Sequence, residues 1–306
     1  MKVGVLTLTL LAGLALTCVL AGATYSAETS IPSDLRGRHM QVKGVTLRVL
    51  QEGSGRDVLL IHGSPGLLED FDPIVDALRG SFRFTRFDRP GQGYSADAGR
   101  YDPAFNAEIA AALIEQLRLT KVIVAGHSYG GSTSLALALR QPPQVSAYIV
   151  IDSASYQRIR PLAPLFKALA LPVVGTGLAR LAPASTAQQR TEAGLTAEFA
   201  PRPVPAGFTA LRARTWSQPK VMHALAVESA DYDRSLAAQS PRYPEIKAPL
   251  YVLAQRDQLT RKATAERLTR EVPGAQLTLV ERTGHYVQIE RPDVVIETLQ
   301  RAAAEH

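Results

Sequence analysis

Short apolar, β-branched runs alternate along this chain with longer stretches whose apolar positions recur at helical spacing. Residues 39–52 read as two short strands turning at Lys43-Gly44. Val58–Ile61, Phe82–Phe87, Val122–Ala125, Ala147–Ile151, Leu250–Leu253 and Gln276–Val280 read as further strands. Between and after them Leu67–Leu78, Pro103–Leu117, Gly130–Leu139, Thr264–Glu271 and Asp293–Ala303 read as helices. Strands separated by helices require right-handed crossovers, which predicts an α/β fold: a parallel sheet with helices on both faces. The alternation breaks at 153–244, a stretch rich in Pro, Ala and Arg with helical segments at Leu162–Leu171 and Phe208–Trp216. Ninety residues without structure are improbable in a compact domain, so this stretch is expected to form a helical cap between two strands.

The N-terminus has a different pattern. Met1 and Lys2 precede Val3–Ala23, which carries no charge. A basic start and an apolar run are the marks of a secretory signal, with Ala21-Gly22-Ala23 as small residues for cleavage. At about 20 residues the run is also long enough for an uncleaved membrane anchor. Leu16-Thr17 is a poor lead-in for lipoprotein processing at Cys18. The expected organisation is therefore a signal or anchor at 1–23, a linker at 24–38, core at 39–152, cap at 153–244 and core again at 245–306. The expected location is periplasmic or extracellular, either free or tethered by residues 3–23.

Composition narrows the chemistry. Among 306 residues 46% are apolar and 20% charged, the balance of a globular chain. The single cysteine, Cys18, excludes a disulfide framework, a thiolate zinc site and an iron–sulfur cluster. The net charge of +6 is concentrated in Ser153–Pro244, where 11 Lys and Arg face 5 Asp and Glu. That excess reads as a solvated basic face or, more sharply, as a surface for anionic membrane lipid. With aromatics at 6% and no recognisable module, nucleic acid is not an expected partner.

Three sites at strand ends carry candidate chemistry. Gly126-His127-Ser128-Tyr129-Gly130 is a G-x-S-x-G sequence between an apolar strand and an apolar helix. On so sharp a turn, side chains at 126 and 130 would collide with adjoining backbone, while the Ser128 hydroxyl is lifted above the sheet near a helix N-terminus. His62-Gly63-Ser64-Pro65-Gly66 follows the Val58–Ile61 strand, and its glycine lets a backbone N–H point into the cleft. The Ser64 and Tyr129 N–H groups are thus the expected oxyanion hole. His62 reads as a structural hydrogen-bonder. Of the histidines, His39, His223 and His306 lie in the first strand pair, in the cap and at the last residue, and His127 points away from Ser128 on a tight turn. His285, in a loop after the last apolar strand and preceded by Gly284, is the expected base. Asp257 is the expected orienting acid, from the chain order Ser, Asp, His and its place after the strand that follows the cap. Asp152, at the end of the strand before the cap, is its rival.

Taken together, the Gly126–Gly131 turn, the His62–Gly66 loop, Asp257 and Gly284-His285 resemble the α/β-hydrolase superfamily. Phe87-Asp88-Arg89-Pro90-Gly91-Gln92-Gly93-Tyr94-Ser95 is similar to the D-x-x-G-x-G-x-S turn of its cap-bearing members, a structural feature. The resemblance spans about residues 39–303. It implies an eight-stranded, mostly parallel sheet, a cap after the sixth strand and a metal-free triad at the strand C-terminal ends. Epoxide hydrolases and haloalkane dehalogenases of this fold use aspartate. A serine attacking an alkyl carbon would leave an ether that water cannot cleave, so Ser128 argues for acyl chemistry. Hydrolysis of a small to medium, apolar carboxylic ester is the expected activity, with no cofactor or metal. Lactone, amide and ketone-adjacent carbon–carbon cleavage use the same parts. A peptidase taking an N-terminal residue needs an acidic pocket, for which the basic cap offers only Glu228, Asp231 and Asp233, so this reading ranks lower. A catalytically silent binding protein on this fold is the alternative from another class.

Overall fold

A computed structural model describes residues 2–27, 29–157, 163–181 and 184–306; the side chains of residues 1–11, Ala184 and Ala187 also lie outside the described set. Among the described residues eight strands form one sheet in the order β1-β2-β4-β3-β5-β6-β7-β8. These are β1 (Arg38–Val42), β2 (Val45–Gly53), β3 (Arg56–Ile61), β4 (Phe82–Phe87), β5 (Val122–His127), β6 (Val145–Ile151), β7 (Leu250–Gln255) and β8 (Gln276–Val280). Strands β1 and β2 form an antiparallel hairpin, and its Lys43-Gly44 turn has positive φ at both residues (49° and 80°), the backbone a two-residue hairpin needs. β2 pairs antiparallel with β4, and the remaining pairs are parallel. Every residue of β5 and of β7 is buried. Strands covered on both faces read as continuous apolar runs rather than alternating ones, which is why they stood out in the sequence.

The helices are α1 (Lys2–Ala23), α2 (Asp72–Leu78), α3 (Pro103–Gln116), α4 (Tyr129–Leu139), α5 (Pro164–Leu169), α6 (Val174–Leu181), α7 (Ala184–Phe199), α8 (Phe208–Trp216), α9 (Pro219–Gln239), α10 (Leu259–Glu271), α11 (Val287–Glu290) and α12 (Pro292–Glu305). One apolar layer lies between the sheet and α3, α4 and α10, built around Leu113, Val124, Leu135 and Val252. The opposite layer joins the sheet to α2 and α12 through Phe71, Ile149, Leu253 and Leu299. Helix α3 starts where Asp102 accepts a hydrogen bond from the Phe105 N–H (2.9 Å) with proline in the first turn, a local stop-and-start signal in the sequence.

Helices α5–α9 all lie between β6 and β7. The expected helix at Leu162–Leu171 is observed as α5; its first residue, Leu162, is outside the described residues. Two ends of this insertion meet, since the Tyr243 hydroxyl donates to the Ser155 carbonyl (2.7 Å). On the core side, Tyr286 stacks on Phe199 at 4.8 Å between ring centres and packs edge-on to Phe208. The Arg212 guanidinium pairs with buried Asp70.

The segment expected as a signal or anchor, residues 3–23, falls in α1, part of whose side chains lie outside the described residues. Among the described residues no helix is long and apolar enough to cross a membrane, so a spanning anchor finds no support there. Helix α1 packs along α6 instead. Cys18 is buried, and at both Gly22 and Gly177 a Cβ would overlap backbone of the facing segment.

Candidate active site

Strand β5 ends at His127, and Ser128 then turns the chain into α4 with φ 52° and ψ −115°, left-handed backbone that non-glycine residues rarely adopt. The turn is over-determined. The Ser128 N–H donates to Ile151 O (2.9 Å), and its carbonyl accepts from the N–H groups of Gly131 (2.9 Å) and Ala154 (3.2 Å). A Cβ at Gly126 would overlap the Gly130 carbonyl, and one at Gly130 would overlap the Ile61 carbonyl. Both glycines are therefore set by close backbone approach, as expected.

The His62–Gly66 loop lies against this turn. A Cβ built on Gly63 would stand 3.1 Å from Ser128 Cβ. His62 is fully buried; its Nδ1 donates to Gly63 O (2.8 Å) and its Nε2 accepts from the Arg89 N–H (2.9 Å). Burial, followed by the Arg89 charge, pushes its pKa well down, so it is a neutral structural group. Arg89, from the Asp88–Ser95 turn, donates to His62 O (3.2 Å) and Gly63 O (2.8 Å) and pairs with Glu228 of α9 (2.6 Å), all in the interior. Ser64 Oγ donates to the same Glu228 carboxylate, leaving its backbone N–H as the group of interest. The Tyr129 N–H opens α4, where first-turn donors have no intrahelical acceptor. Asp88 is structural, as expected: it accepts from the N–H groups of Leu68 and Tyr94 (2.9 Å each) and from Arg48 (3.3 Å).

His285 meets Asp152 and not Asp257. Its Nδ1 donates to the Asp152 carboxylate at 2.5 Å. Asp152 is buried and also accepts from Gln255 Nε2 (2.9 Å), Gln255 N (3.3 Å) and Arg261 Nε (3.3 Å). Burial pushes its pKa up, but the His285 hydrogen bond, Arg261 and Gln255 outweigh it and hold the carboxyl below its ordinary range. Asp257, the acid expected from chain order, is exposed and accepts from the Arg282 N–H (3.0 Å), closing the loop after β8. The reason is register. β6 lies beside β5 with Ile151 opposite His127, so the next residue, Asp152, stands one strand from the Ser128 turn. Asp257 is a strand farther away and past the end of β7.

The loop carrying His285 is clamped. His127 Nε2 donates to the His285 carbonyl (2.9 Å), and the His285 N–H donates to Glu198 O at the end of α7 (2.6 Å). Arg261 bridges Asp152 and the Glu198 carboxylate (3.5 Å). Arg261, Gln255 and Glu198 were not foreseen; no local motif marks them, because each acts through a neighbour brought in by the fold.

Ser128, His285, Ser64 and Tyr129 line one cavity of about 820 Å³. Its other walls come largely from the insertion, with Leu165, Phe166, Leu169, Trp216 and Met222 among them. Among the described residues no group of three His, Cys, Asp or Glu side chains could hold a metal ion.

Comparison with known proteins fits this arrangement. The sequence profile of the alpha/beta hydrolase family matches residues 58–298. The chain belongs to this family. It is 25% identical over 276 residues to 2-(acetamidomethylene)succinate hydrolase of Mesorhizobium japonicum, covering 86% of this chain and 93% of that protein. Among solved structures, the epoxide hydrolase CorEH superposes with a TM-score of 0.73 at 20% identity, covering 88% of this chain and 99% of that one. The esterase EaEST of Exiguobacterium antarcticum gives 0.68 at 24%, covering 87% and 98%. As a family member the protein is an enzyme of the hydrolase class acting on small molecules.

Proposed function

We propose that this alpha/beta hydrolase cleaves small to medium, apolar carboxylic esters through an acyl-enzyme on Ser128. The supporting observation is the convergence of the strained Ser128 turn and the His285–Asp152 pair on one largely apolar cavity. Ser128 Oγ attacks the ester carbonyl as His285 Nε2 takes its proton, and Asp152 holds the Nδ1–H tautomer and stabilises the imidazolium. The new negative charge on the carbonyl oxygen faces the Ser64 and Tyr129 N–H groups, each such donor contributing about 3 kcal/mol. The C–O bond breaks as His285 returns the proton to the leaving alcohol. Water, deprotonated by His285, then attacks the acyl-enzyme and releases the acid and free Ser128.

Lactone, amide and carbon–carbon substrates pass through the same tetrahedral centre, and a panel of all four ranks them. The aminopeptidase reading is disfavoured, because the Glu228 carboxylate that would receive a substrate ammonium is already neutralised by Arg89. The charge-free run after Lys2 supports export to the periplasm or beyond, which fractionation of cells expressing the full chain tests. For the chemistry, a fluorophosphonate probe is expected to label the wild-type protein, and Ser128→Ala to abolish labelling. Unlabelled wild-type protein would instead favour a silent binding protein on this fold.

A further inference from the structure

Among the described residues, large apolar side chains left exposed cluster in one region. Of those described, all but Leu259 lie on α1 or between Leu165 and Leu181. On α1, Leu16 and Leu20 are 60% and 57% exposed, while Cys18 between them is buried against α6. On the insertion, Leu165, Leu171, Val173 and Leu181 stand exposed. The two groups are continuous: Gly22 of α1 abuts the Val173 backbone, and Arg180 of α6 donates to Ala21 O (2.9 Å) and Thr24 Oγ1 (3.0 Å). Leu165 belongs at once to this surface and to the cavity wall.

Charge selects the occupant. Residues 2–27 contain no Asp or Glu, and neither do residues 164–191, which contribute Lys167, Arg180 and Arg190. Two stretches that bear exposed apolar side chains and cations but no carboxylate match anionic lipid, where each basic residue near the surface contributes about 1 kcal/mol. A second copy would bring the same cations against themselves.

We propose that α1 and the α5–α6 edge of the insertion form a docking surface for an anionic bilayer, with α1 lying against α6 and the Leu165 mouth of the cavity turned to the lipid. Docking stands on the surface alone; its consequence, that apolar esters enter from the membrane, rests on the hydrolase reading. The test is flotation of the full chain with vesicles of phosphatidylcholine plus phosphatidylglycerol, and with phosphatidylcholine alone. Binding is expected to the first, weakened by salt and on the second. The pairs Leu16→Glu/Leu20→Glu and Leu171→Glu/Leu181→Glu are each expected to lower the bound fraction about tenfold. Fluorophosphonate labelling and turnover of a soluble short-chain ester should stay at wild-type level, showing that the variants fold. Absence of wild-type binding, or binding indifferent to both pairs, overturns the proposal. So does a wild-type dimer that sediments as a monomer after these substitutions, which would make the face a self-association surface. Loss of labelling in the wild type would refute the hydrolase reading and leave the docking result standing.

Discussion

The backbone N–H of His285 donates to the carbonyl of Glu198, 2.6 Å away at the end of an insertion helix. The Glu198 carboxylate also pairs with Arg261, which reaches Asp152. The insertion therefore touches the His285–Asp152 pair twice, through main chain and through charge, as well as roofing the cavity.

Asp152→Asn is expected to lower kcat on a soluble ester about 10³–10⁴-fold, because an amide cannot both fix the Nδ1–H tautomer and stabilise the imidazolium. Asp257→Asn keeps an oxygen that can accept from the Arg282 N–H and is expected to keep most activity. Steady-state kinetics of the two variants decide between the carboxylates, and the reverse order would restore Asp257.

Ser128 occupies left-handed backbone that costs of order 1–3 kcal/mol in a non-glycine residue. Ser128→Gly should abolish turnover yet raise stability by about 1 kcal/mol, after glycine's own entropic cost. Thermal unfolding measures it, and a destabilised glycine variant would show that the bend carries no strain.

Glu228 and Arg89 form an interior pair that also fixes the Gly63 and His62 carbonyls. Glu228→Leu leaves a buried guanidinium without its counter-charge and is expected to cost about 3–5 kcal/mol in denaturant unfolding. Glu228→Gln, which keeps a hydrogen-bond acceptor, should cost less and lower kcat more than it raises KM, since the loop holding the Ser64 N–H loosens.

Burial holds both His62 and His127 well below their ordinary pKa. As pH falls below about 6.5 the unfolded chain takes up protons that the folded one refuses, so stability drops with acidity. For each imidazole the slope grows as the unfolded chain protonates and approaches about 1.4 kcal/mol per pH unit roughly one unit below that value. Urea midpoints between pH 7.5 and 5.5 read it (roughly the window around the free imidazole value), and His62→Asn should about halve the slope. A flat profile would mean that these rings accept protons in place.

Much of this arrangement was readable in advance because local signals and tertiary demands coincide. Val122–Ala125 is apolar since both faces are covered, and Gly126 and Gly130 are small since backbone passes within overlap distance. Asp257, expected from chain order, does not meet His285 because a carboxylate's partner is fixed by which strands lie side by side. Ile151 stands opposite His127, and nothing near Asp152 in the chain reports that register. Helices α7 and α9 were not delimited beforehand, their polar, alanine-rich sequences having little apolar periodicity, and Arg261 reads as one more surface arginine until Asp152 is beside it.

The bond between the Tyr243 hydroxyl and the Ser155 carbonyl closes the insertion into a loop with a narrow neck. Everything between those points can be swapped for a different helical segment without re-threading the strands beneath. Such a scaffold lets the appetite of the enzyme drift, provided each replacement restores the grip that Glu198 and Glu228 keep on the groups beneath.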